Sequence, residues 1–130
     1  MDKKIITTVQ LREQPVSPKK ARLVMDMIRG MDLNKAVPIL DNTNKKSARI
    51  ALSLLKSATS SAKEKGYQAN ELIICESLVN EGRKLKRYFI RARGRSTKYL
   101  KRSSHFRVSL CLKTDEKKVK QPKTKGKDGK

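Results

Sequence analysis

The sequence predicts an α+β fold: three helices packed on a small antiparallel sheet of about three strands, with a long protruding β-hairpin. Three observations predict it. Between residues 17 and 66 apolar side chains recur every three or four positions; after Gly66 they alternate; and the two alternating segments bracket a strongly basic run whose only turn signal is near its middle.

Residues 5–12, IITTVQLR, are rich in β-branched side chains and end before Pro15, which makes them a short strand. Ser17 and Pro18 then supply an N-cap hydroxyl and a proline at the first helical position, where the missing N–H costs nothing. In this first helix Ala21, Val24, Met25 and Ile28 form the apolar face, Lys19, Arg22 and Arg29 project from the other side, and Gly30 closes it. Residues 32–40 read as a second, shorter helix capped by Asp32 or Asn34. With Asn34 as the cap, Pro38 falls just past the first turn, so this helix is expected to start late, kink or tighten to a single irregular turn. The third helix is expected to run from a cap at Asn42 or Thr43 to a left-handed stop at Gly66, with Ala48, Ala51, Leu52, Leu55, Ala58 and Ala62 packed. Its Lys45, Arg49, Lys56 and Lys63 fall within about 40° of one another around the axis. Such a stripe suits either a solvated face or a polyanion. Beyond Gly66, residues 72–79 should pair antiparallel with residues 106–113, where Phe106, Val108, Leu110 and Leu112 alternate with more polar neighbours, and the first strand joins them.

With 130 residues, 36% apolar side chains, five aromatics and no tryptophan, the expectation is one domain with a small aliphatic core and no large enzyme pocket. No run approaches the roughly 18 apolar residues of a membrane span, and MDKKIITTVQLRE has no signal core, so the chain reads as soluble, untargeted and cytoplasmic. Cys75 and Cys111 are too few and too far apart in sequence for a disulfide scaffold or zinc cluster, and read as small buried side chains. No nucleophile, base and orienting group can be assembled around the single histidine, His105, and no phosphate loop or metal-ligand spacing occurs. Neither catalysis nor a cofactor nor a metal is expected.

The net charge of +21, from 33 Lys or Arg against 12 Asp or Glu, is unevenly placed. Residues 1–81 hold 14 basic and 9 acidic side chains, residues 82–114 hold 12 basic and none acidic, and residues 115–130 hold 7 basic and 3 acidic. An acid-free block of that length cannot neutralise itself, so its folded form calls for an external polyanion, and nucleic acid is the obvious one. The folded domain is expected to span residues 1–112, and the Lys-rich residues 113–130 to form a disordered tail, either solvated or in extra contact with RNA.

Residues 80–105 carry the charge as a hairpin. Gly94 is the natural tip, Tyr88, Phe89, Ile90, Thr97, Tyr99 and Leu100 give both arms strand character, and a tip near Arg93 sets residue 80 opposite residue 105. About 12 residues per arm at about 3.3 Å each project roughly 40 Å. A two-stranded ribbon alone is marginal in water, and the ten Lys or Arg from Arg83 to Arg102 repel one another along it. Phosphates on several sides would turn that repulsion into attraction, and folded RNA offers such walls. Arginine supplies seven of the 11 basic residues from Arg83 to Arg107, which favours planar contacts to phosphate and base edges. Tyr88, Phe89 and Tyr99 suit either stacking on unpaired bases or packing across the ribbon. The residues expected to meet RNA are Lys19, Lys20 and Arg22 on the first helix, Lys45 and Arg49 on the third, and Arg83, Lys84, Lys86, Arg87, Arg91, Arg93, Arg95, Lys98, Lys101 and Arg102 on the ribbon.

Several motifs stand together in this chain: SPKKARLV and IRG within 17–30, KSATSSA at 56–62, EG and LKR within 81–87, RARGR at 91–95 and KRSSH at 101–105. In this order and spacing, from about Leu11 to Leu112, the chain resembles the large-subunit ribosomal protein twenty-two family, which lines the nascent-peptide exit tunnel. The resemblance implies a small α+β domain on the solvent side of the large subunit, contact with several domains of the large ribosomal RNA during early assembly, and a hairpin reaching inward. It further implies that Leu85, Lys86, Arg87, Arg91, Ala92 and Arg93 lie at or near the tunnel constriction, beside another ribosomal protein and the nascent polypeptide. Macrolide antibiotics bind close to that constriction. No membrane partner and no homo-oligomer are implied. Departures from the family's usual residues fall at Pro38, Asn80, Arg83, Lys84 and Ile90.

The nearest alternative is an architectural DNA-binding protein with a basic ribbon. Such proteins dimerise through a larger apolar surface and carry an apolar wedge at the tip, where this chain has RARGR. A membrane-active cationic protein would instead place its charge on one face of an amphipathic helix.

Overall fold

A computed structural model describes residues 4–113. Strand β1 (Ile5–Gln14) leads into helices α1 (Pro18–Ile28), α2 (Leu33–Asn42) and α3 (Lys46–Glu64), after which β2 (Leu72–Ile90) and β3 (Ser96–Leu112) fold back on each other. The sheet order is β1-β3-β2 with both pairs antiparallel, so the last strand is central. This is the expected α+β architecture. Alternation along β3 sends Phe106, Val108 and Leu110 into one core with Ala21, Val24, Met25 and Ile28 of α1 and Ala51, Leu54, Leu55 and Ala58 of α3. Each large aliphatic or aromatic side chain so placed contributes about 1.5–3 kcal/mol.

The helix ends differ in detail from expectation. Ser17 is the N-cap of α1 and Pro18 its first residue, yet the Ser17 hydroxyl makes no capping bond. Asp32 caps α2 through its carbonyl, which accepts from Lys35 and Ala36 N–H at 3.0 Å each. The helix runs for ten residues with Pro38 inside it and does not reduce to one irregular turn. Asn42 and Thr43 do not cap α3. Asn42 ends α2, and the Thr43 hydroxyl donates back to the Ile39 carbonyl at 2.7 Å, so α3 begins at Lys46 behind Lys45. At its far end Gly66, with φ of 86°, closes a Schellman motif in which Tyr67 N–H donates to Ala62 O and Gly66 N–H to Lys63 O. Leu54 is buried on α3 where Leu52 is only half-buried, a rotation of the packed stripe toward the sheet.

The cysteine expectation needs correction. Cys75 and Cys111 are joined in a disulfide between β2 and β3, with Cα atoms 5.9 Å apart. Their separation of 36 residues in sequence is no obstacle, because the hairpin returns the chain to the same level of the sheet.

Strand β2 is fastened to α1 along its outer edge. Arg22 Nε donates to Val79 O at 3.3 Å, an Arg29 terminal nitrogen donates to Ser77 O at 2.8 Å, and the Ser77 hydroxyl donates to Met25 O at 2.8 Å. These bonds fix where the long arm leaves the domain. On the other side β1 continues two residues past the expected end. Glu13, with φ of 52°, is bulged there, and its N–H donates to His105 Nδ1 at 2.9 Å, which gives the histidine a structural role.

Candidate nucleic-acid interface

Support from β1 ends where Gln14 pairs with Ser104, and beyond that level β2 and β3 have only each other. The pairing runs from Lys84↔Arg102 to Ile90↔Ser96, and Asn80 faces His105 as the tip position requires. Ten residues from Glu81 to Ile90 project roughly 33 Å at about 3.3 Å each. The turn is tight. Arg95 N–H donates to Ala92 O, and both central residues, Arg93 with φ of 58° and Gly94 with φ of 67°, are left-handed, as a type I′ hairpin turn demands. Arg91 N–H donates to Arg95 O at 2.7 Å, and its guanidinium lies 4.8 Å from the Phe89 ring centroid.

All ribbon residues from Arg83 to Arg102 are exposed. Directly opposed residues share a face, so one face holds Leu85, Arg87, Phe89, Thr97, Tyr99 and Lys101, and the other Lys84, Lys86, Tyr88, Ile90, Lys98, Leu100 and Arg102. Both faces therefore mix cations with apolar and aromatic groups. The aromatics do not pair with one another: Arg87 opposes Tyr99, Tyr88 opposes Lys98 and Phe89 opposes Thr97. They stay 50–66% exposed, which leaves half of each ring or more open to a partner. Of the ten ribbon cations only Lys84 is in an ion pair among the described residues, 2.9 Å from Glu81. That bond and the Lys84 charge, assisted by Arg22 and Arg102, hold the Glu81 carboxyl below the usual carboxylate range.

The structure gathers the helical cations expected at the interface into separate places. Lys19 and Arg22 meet Arg102 around a cleft at the root of the ribbon, also lined by Ser17, Pro18 and Glu81. Lys20 and Lys45 meet Lys46 around a shallow groove floored by Val16 and Leu23. Arg49 is exposed farther along α3 and belongs to neither. Along the ribbon, Arg83, Lys101 and Arg102 line a further hollow with Leu85 and Ser103. Sequence reasoning missed Glu81, Ser17 and Lys46. Glu81 could have been found as the last acid before the acid-free block.

An α+β domain whose last two strands run on past the sheet as an unsupported cationic ribbon has the form of a component of a larger assembly. The chain belongs to the family described as ribosomal protein L22p/L17e, whose pattern it matches over residues 9–111. It is similar to the large ribosomal subunit protein uL22 of Mycoplasmopsis agalactiae, with 46% identity over 75% of this chain and 86% of that one. The uL22 proteins of Magnetococcus marinus (42% identity, 78% of this chain and 91% of that one) and Metamycoplasma hominis (45%, 77% and 78%) are similar too. The chain is thus a structural constituent of the large ribosomal subunit and not an enzyme. No described helix is long and apolar enough to cross a membrane.

Proposed function

We propose that the chain binds large-subunit ribosomal RNA during early assembly and that its hairpin reaches the wall of the nascent-peptide exit tunnel. The observation that carries this reading is the ribbon itself: ten cations, exposed on both faces, with one ion pair among them. In water such a ribbon is opposed by its own charge; between RNA walls each guanidinium gains a phosphate or base edge and releases counterions. The exposed rings of Tyr88, Phe89 and Tyr99 add stacking surface for unpaired bases. Leu85, Lys86, Arg87, Arg91, Ala92 and Arg93, at and below the tip, are the residues that would meet the constriction, a neighbouring ribosomal protein and the nascent polypeptide. Of residues 113–130, the tail expected to add RNA contacts or remain solvated, Lys113 is held to the domain, its N–H donating to Glu71 O at 2.7 Å, and residues 114–130 lie outside the described residues.

Photo-crosslinkers at positions 91 and 93 test this in assembled large subunits carrying a stalled nascent chain. Crosslinks to ribosomal RNA and to the nascent chain are expected. Crosslinks to neither would overturn the tunnel reading. For the isolated protein and ribosomal RNA, affinity should fall by roughly 10³ to 10⁵ between about 50 and 200 mM salt if about 6 to 10 phosphates are engaged. Shortening the hairpin should flatten that dependence.

A further inference from the structure

The cleft at the ribbon's root has a volume of about 340 Å³ and is lined by residues from both sides of the α1–ribbon junction: Ser17, Pro18, Lys19 and Arg22 on one, Glu81 and Arg102 on the other. Its three cations differ in how they are held. Arg22 is anchored by Nε to the Val79 carbonyl, which leaves its terminal amino groups to donate elsewhere. The side chains of Lys19 and Arg102 make no hydrogen bond or ion pair among the described residues. The only acid in the cleft, Glu81, is engaged by Lys84 and not by Arg22 or Arg102, although both cations act on it through space. Three converging donors thus surround a space whose resident carboxylate is occupied elsewhere.

We propose that this cleft seats one backbone phosphate of RNA, held by Lys19 and Arg22 from α1 and by Arg102 from β3, with Glu81 as the opposing charge that limits its affinity. This rests on the RNA-binding reading above and deepens it. A phosphate seated there bridges the two parts whose relative position sets the finger's direction, since α1 is tied to β2 at Ser77 and Val79 while Arg102 opens the unsupported part of β3. Glu81 has two roles of opposite sign. In the free protein it offsets the like charges of Lys84 and Arg102, which face each other across the ribbon. Against an incoming phosphate it repels.

The test is a titration of the full chain with inorganic phosphate at constant ionic strength in chloride, followed by amide and guanidinium NMR shifts. Saturable shifts confined to Lys19, Arg22, Glu81 and Arg102 and their neighbours are expected. Arg102→Gln and Lys19→Gln should each weaken binding about threefold, the size of one exposed charge contact, and Glu81→Gln should tighten it by a similar factor. Linear shifts spread over all basic residues, or weaker binding in Glu81→Gln, would overturn the proposal. In a second arm with ribosomal RNA, Arg102→Gln should lower the slope of log affinity against log salt by about one. An unchanged slope with phosphate binding intact would assign the cleft to free phosphate and refute the RNA seat. Loss of the cleft with tip crosslinks retained would leave the RNA reading standing, so the two failures are distinct.

Discussion

Replacing Gly82 by alanine tests how the ribbon is joined to the domain. Gly82 lies where the β2–β3 register shifts between Glu81 and Lys84, and it is not left-handed, so alanine meets no backbone penalty there. The obstacle is across the strand. A methyl at position 82 would collide with Ser103 Oγ and come within 3.1 and 3.2 Å of the Ser103 carbonyl carbon and oxygen. To clear it, the hydroxyl must leave the Arg83 carbonyl, to which it donates at 2.7 Å, and the strands must part by a few tenths of an ångström. The lost bond costs about 1 kcal/mol, and forcing a methyl into occupied space about 1–2 kcal/mol. The smaller freedom of the unfolded alanine chain returns about 0.4–1 kcal/mol. The net is about 1–2.6 kcal/mol of local stability, or roughly 5- to 80-fold in opening. Amide exchange of Glu81 and Ser104 should accelerate by that factor while Leu110 in the core does not change. In the background of Gly82→Ala, Ser103→Ala should recover part of the loss because it removes the colliding oxygen. Unchanged exchange at the root, or no recovery in the double variant, would refute the reasoning.

Three further outcomes follow from the same geometry. Ser104 Oγ is fully buried with no hydrogen-bond partner among the described residues, so Ser104→Ala should be neutral or stabilise by up to about 1 kcal/mol in urea unfolding, and a loss larger than that would mean the hydroxyl is satisfied. The Glu81 carboxyl, followed by its carbon shift, should titrate below the ordinary carboxylate range because of Lys84. Its lowered folded pKa makes the contribution to root stability full above the unfolded value and lost as pH falls through the folded one; Glu81→Gln should remove that acid limb. Without RNA the amides from 85 to 100 should exchange with little protection, since they belong to an exposed two-stranded ribbon, and strong protection there would contradict the charge argument.

Much of this architecture was legible because the signals were local. The period change at Gly66, the Ser17–Pro18 pair and the Gly94 tip each act within a few residues, and each marks an element in the structure. Where reading went astray, a distant partner decided. Thr43 resembles a helix cap, but α2 reached it first and used its hydroxyl at Ile39 O. Cys75 and Cys111 look unrelated until β2 and β3 pair. Ribbon cations were visible as a block of charge. The meeting of Arg102 with Lys19 and Arg22 at the root cleft was not, because it depends on α1 lying along β2, which no local pattern encodes.

Charge along the ribbon is arranged more carefully than its total suggests. Between Leu85 and Tyr88 every β2 residue and its β3 partner combine one cation with one apolar or aromatic group, so no two like charges are directly opposed over that stretch. Among the described residues the one directly opposed pair of cations is Lys84 and Arg102, and the one acid in an ion pair with a ribbon cation is Glu81, beside that pair. Repulsion is therefore lowest where nothing but the partner arm holds the strand, and it is offset where the arm meets the domain. Such spacing lessens the repulsion within the free hairpin without cancelling it, since nine of the ten ribbon cations stay without an anion among the described residues. A ribbon designed only to be stable would have placed acids opposite those cations. Leaving them open is the arrangement suited to a polyanion that supplies the missing charge from outside, from both faces at once.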